Sequence, residues 1–90
     1  MAGAIDLPPA IYDHPFPGHV TRYEYLASEV SARCSDLGGF KHEAEACSLA
    51  ISERDCIIIL PWWGVGGVGP IAYRSLLRHE TGHCNGWRHK

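Results

Sequence analysis

Apolar and polar residues alternate over residues 19–26, where Val20, Tyr23 and Tyr25 stand among Thr21, Arg22 and Glu24. Alternation in β-favouring residues predicts a half-exposed strand. Ser28 then suits a helix N-cap, and Val30 and Cys34, four apart, share one face of a short helix that residues 36–39 stop. Residues 44–51 fit either period. The polar tetrad Ser52-Glu53-Arg54-Asp55 and the β-branched run Cys56-Ile57-Ile58-Ile59-Leu60 beyond it select a strand, so the two runs make a hairpin. Residues 57–60 are apolar on both faces, which marks a central strand or an edge covered by another element. Pro70 fits the first position of a last helix that continues through Asn85. Helical spacing puts Tyr73, Leu77 and Cys84 on the face that packs on the sheet, and Ala72, Leu76, His79 and His83 on the side of a cleft.

The segments outside these elements have their own signatures. Pro8, Pro9, Pro15 and Pro17 forbid a regular helix over residues 1–18 and predict an extended arm, with Asp13 and His14 in a turn before Pro15. Trp62 and Trp63 lead into a glycine-rich stretch expected to be a flexible loop, a possible wall of the cleft. Its Gly64, Gly66 and Gly69 match GxGxxG, yet the next helix ends the sequence with no following strand or acidic partner, which argues against nucleotide binding. The expected fold is a single α+β domain over residues 1–90, with a roughly three-stranded sheet, one short helix and a C-terminal helix.

Composition narrows the chemistry. A chain of 90 residues buries only about two thirds of its unfolded surface, so cross-links or a metal would help to hold it. Cys34, Cys47, Cys56 and Cys84 form an even set, which in so short a sequence implies disulfides and an oxidising, periplasmic or secreted setting. Three pairings are possible; the preferred one joins Cys47 to Cys56 across the hairpin and Cys34 to Cys84 between helices, each tying neighbouring elements. A four-thiolate zinc site fits poorly, because no two cysteines stand two to four apart. A net charge of −2 without a Lys/Arg cluster argues against nucleic acid and anionic membrane as partners. No apolar run approaches the ~20 residues that span a bilayer. The amino terminus carries no basic start or apolar core of a secretory signal, so a signal removed earlier is expected.

The densest chemistry is the run His79-Glu80-Thr81-Gly82-His83-Cys84-Asn85-Gly86-Trp87-Arg88-His89, a full match to HExxHxxGxxH. Histidines four apart on a helix are ~40° apart around the axis and one turn apart along it, so His79 and His83 can meet one metal ion. Glu80 flanks the same face, where its carboxylate can reach a water on that metal as general base. A straight helix would carry His89 roughly 240° around and ~9 Å beyond His83. Gly86 answers this by ending the helix in a positive-φ turn that sends the chain back under the metal.

Residues 79–89 thus resemble the active site of the metzincin clan of zinc endopeptidases, which includes the astacins and matrix metalloproteinases. The resemblance spans about an eighth of the chain at motif level. It implies a zincin-like domain with one zinc ion held by His79, His83 and His89, Glu80 as catalytic base, and a peptide or protein as substrate. The clan's methionine-containing turn, a floor beneath the imidazoles, has no counterpart, since the single methionine is Met1. The element order read from pattern, strand, helix, strand, strand, helix, is similar to that of the amino-terminal half of such enzymes. The rival readings are a non-catalytic zinc-stabilised binding domain and a fragment of a larger protease. Glu80 speaks for catalysis, because a purely structural zinc needs no carboxylate there.

Overall fold

The computed structural model describes residues 5–38 and 44–88. After a single 3-10 turn at Ala10–Tyr12, the elements are β1 (His19–Tyr25), α1 (Ala27–Gly38), β2 (Cys47–Ala50), β3 (Asp55–Pro61) and α2 (Pro70–Cys84). They form the small α+β fold expected, with a mixed three-stranded sheet in the order β1-β3-β2. β3 is the central strand, parallel to β1 and antiparallel to β2. The polar tetrad before β3 closes the hairpin: the amide of Ile51 donates to the carbonyl of Asp55, and the amide of Arg54 donates to the Ser52 hydroxyl.

Side-chain alternation along β3 divides the core in two. Cys56, Ile58 and Leu60 face α2 and cluster with Tyr73, Leu76 and Cys84. Ile59 faces the other way, into a cluster with Val30 and Cys34 of α1 and Cys47 of β2. Ile58 and Leu60 are completely buried, and each such side chain contributes about 1.5–3 kcal/mol over its exposed state. The sheet is therefore covered by one helix on each face, which explains why residues 57–60 carry no polar alternation.

The same parity decides the disulfides, and against the expected pairing. The bonds join Cys34 to Cys47 and Cys56 to Cys84. In the β2–β3 ladder Cys47 lies opposite Ile59 and Ala50 opposite Cys56. Residues directly opposite share a face and successive residues alternate, so Cys47 points to α1 and Cys56 to α2. A Cys47–Cys56 bond across the hairpin would have to pass through the sheet. Each cysteine instead meets the helix on its own side.

Other boundaries shift for local reasons. α1 starts at Ala27, one residue before the expected cap at Ser28, because the Ala27 amide donates to the carbonyl of Gly66 in the loop before α2. On α2, Leu76 joins the core while Leu77 is only half-buried, since Tyr73, Leu76, Glu80 and Cys84 make one inward stripe. Within residues 5–18 the proline-rich arm has one 3-10 turn, Ala10–Tyr12, and bends at His14 and at Pro17 and Gly18. It lies against α2, where Asp13 pairs with Arg78 and the Asn85 amide donates to the carbonyls of Tyr12 and His14.

The stretch between β3 and α2 is stitched rather than flexible. Amides of Gly64, Gly67 and Val68 donate to carbonyls of Val68, Gly64 and Trp62, and the Trp62 indole donates to Val65. Those three amides are spent inside the loop.

Candidate metal and catalytic site

α2 begins with Pro70 at its first position and ends where Gly86 adopts φ of 107°. The terminus is a Schellman arrangement: the Gly86 amide donates to the His83 carbonyl and the Trp87 amide to the Gly82 carbonyl. This is the turn expected from the sequence, and it folds Trp87 back beneath the last turn of the helix. Gly82 serves a different need. A Cβ there would lie 2.4 Å from the ring of Pro8 and 3.2 Å from Trp87, so a hydrogen lets the arm and the returning chain close on α2.

His79 and His83 meet across one helical turn with their Nε2 atoms 3.1 Å apart. Each Nδ1 is committed elsewhere: that of His79 is 2.6 Å from the Asp6 carbonyl, and that of His83 is 2.7 Å from the Trp87 carbonyl. A carbonyl only accepts, so each Nδ1 carries a hydrogen, and the two Nε2 atoms face each other. Two ring nitrogens at this separation can share a proton or a metal ion. Two imidazoles on a tetrahedral zinc, with Zn–N of about 2.0–2.1 Å, would have their nitrogens about 3.4 Å apart. The observed pair is within a few tenths of an ångström of that, and carbonyl-held Nδ1 atoms are the usual outer support of metal-binding imidazoles.

Trp87 completes the support. Its ring stacks on His83, with centroids 4.6 Å apart and planes 8° from parallel, and meets His79 edge-on at 4.9 Å. Both imidazoles are thereby fixed by one indole and two carbonyls.

Glu80 is the only buried charged residue among those described, 6% exposed. Burial raises its carboxyl above the ordinary carboxylate range, opposed by a hydrogen bond from Ser48 on β2 and by the charge of His79. Two cavities meet at His79 and Glu80. One of about 240 Å³ is walled by Ile5, Asp6, Glu45, Ala46 and Leu76, and one of about 730 Å³ runs along β2 and reaches His83 and Arg88. β2 is an edge strand; among the described residues nothing pairs with its outer side.

Of the expected site residues, His79, Glu80 and His83 come together, whereas His89 lies outside the described residues. Among the described residues no group of three or more His, Cys, Asp or Glu is arranged to hold a metal. Asp13 is engaged by Arg78, and the His14 ring is beside the carbonyl of Pro15. Neither tryptophan of the loop before α2 walls the cavities at His79; both are exposed, by 40% and 59%. Sequence reasoning missed Asp6, Ser48 and Trp87. Asp6 contributes a backbone carbonyl and leaves no side-chain signature. Trp87 had one, an aromatic residue directly after the turn glycine.

Compared with known protein families, with curated proteins and with solved structures, the chain finds no match.

Proposed function

We propose that the chain is a metzincin-like zinc metallopeptidase, with His79, His83 and His89 as ligands of one zinc ion and Glu80 as general base. The observation that carries this reading is the approach of two Nε2 atoms whose Nδ1 partners are both backbone carbonyls, beside a buried carboxylate. When bound, zinc supplies Lewis acidity, acidifying water and polarising the scissile carbonyl. Glu80 takes the proton of the attacking water and returns it to the leaving amine, so it ends the cycle as it began. Its raised pKa makes it a stronger base than an exposed carboxylate.

The outer edge of β2 offers backbone groups to an extended peptide laid beside Glu80. Trp87 and the two carbonyls keep the imidazole rings from turning. The two disulfides support an oxidising compartment, hence a periplasmic or secreted protein acting on peptides or proteins.

The test combines metal analysis with turnover. The purified protein is expected to hold one zinc per chain and to lose peptide cleavage on chelation, while Glu80→Gln keeps the metal and loses at least about a hundredfold in kcat. Equal cleavage by wild type and Glu80→Gln refutes the role of Glu80. A zinc-replete wild type without cleavage supports the binding-domain reading instead.

A further inference from the structure

The hydrogen bonds of the imidazole pair also order charge along the cleft. Asp6 holds His79 from one side and Trp87 holds His83 from the other, giving a row Asp6, His79, His83, Trp87 with Arg88 just beyond. The acidic residues Asp6 and Glu45 line the smaller cavity beside His79 and Glu80. The basic residue Arg88 lines the larger beside His83. Apart from Glu80, these three are the only Asp, Glu, Lys or Arg residues that wall the two cavities among the described residues.

The strand next to this row gives a peptide its direction. Leu76 shares the smaller cavity with Ala46, and Cys84 is bonded to Cys56, which lies opposite Ala50. β2 and α2 therefore run the same way past the site, from the Asp6 and Glu45 end toward the Arg88 end. An antiparallel peptide, the better-bonded arrangement at a strand edge, enters at Arg88 and leaves at Asp6 and Glu45. Backbone pairing reads no side chains, so charge at the two ends decides between sequences.

We infer that the cleft selects extended peptides with an acidic side chain toward the N-terminal side of the residues over His79 and Glu80, and a basic side chain toward the C-terminal side. The inference rests on the peptidase reading for the identity of its occupant, and its test is a binding measurement that cleavage does not enter.

Two blocked, isomeric heptapeptides are titrated calorimetrically against Glu80→Gln protein of the full chain. One has glutamate second and lysine sixth, the other the reverse, with alanine and leucine elsewhere. The acid-first isomer is expected to bind about tenfold tighter, the sum of three exposed charge contacts that change sign between isomers. Raising the salt from about 0.05 M to 0.5 M should shrink the difference. Arg88→Glu combined with Glu45→Lys, both at exposed positions, should reverse the preference. Equal binding of the two isomers, binding of neither, or a preference that survives the double reversal overturns the inference. Wild-type cleavage with no charge preference would leave the peptidase reading standing and this one fallen. Charge-selective binding without cleavage would do the opposite.

Discussion

At the scale of single residues, the site depends on groups that hold histidines as much as on the histidines. Trp87 stacks on His83 and offers its carbonyl to the same ring. Trp87→Ala keeps the backbone carbonyl but removes the stacking surface and loosens both rings, so zinc affinity should fall about 10- to 100-fold, the usual cost of losing outer support. A chelator competition titration checks this, and Trp87→Phe should recover most of the loss. Gly82→Ala tests the contact with the arm. The new methyl meets the Pro8 ring at a distance no packed pair tolerates, so the arm must move, at a cost of about 1–3 kcal/mol in urea unfolding. Because the arm also brings the Asp6 carbonyl to His79, this variant should weaken zinc binding although residue 82 touches no metal. Unchanged zinc affinity would mean that the Asp6 carbonyl does not matter.

At the scale of elements, each helix is fastened to its own face of the sheet by one disulfide, and the two bonds do different work. Cys34–Cys47 closes a separation of 13 residues and Cys56–Cys84 one of 28, which corresponds to about 3 and 3.5 kcal/mol by loop entropy. Stability should therefore fall by similar amounts when either pair is replaced by alanine. Zinc affinity should not. Cys84 adjoins His83 at the end of α2, so replacing Cys56 and Cys84 loosens the helical turn that carries His79 and His83, whereas replacing Cys34 and Cys47 loosens α1 and the far face of β2. Zinc titration of the two double variants separates them; equal losses would refute the division.

At the scale of the whole molecule, the arm and the last helix are coupled through charge. Arg78 hydrogen-bonds Asp13 and lowers its pKa below the ordinary value. A depressed carboxylate stabilises the fold above its unfolded pKa, 3.8, and that contribution is lost as the pH falls through the lower folded value. Asp13→Asn should thus lower the urea midpoint at pH 6, and by less at pH 2. The effect is small because the pair is partly exposed. A midpoint difference equal at both pH values would show that the ion pair contributes nothing.

The sequence alone determined what depends on neighbours along the chain. Period separated most strands from helices, the polar tetrad and the β-branched run after it selected the hairpin of β2 and β3, and the apolar run Ile57 to Leu60 marked a central strand or a covered edge, which the structure resolves as central. Helical spacing brought His79 and His83 together, and Gly86 marked the positive-φ turn after them. Only the tertiary structure decided which cysteines bond, because partner choice followed from the face of the sheet each side chain took and not from separation along the chain. It alone brought Asp6 to His79 across 73 positions and Ser48 beside Glu80. Those contacts are made by a backbone carbonyl and a short hydroxyl, groups that every segment carries, so no local pattern could point to them before the arm, the edge strand and the helix were folded against one another.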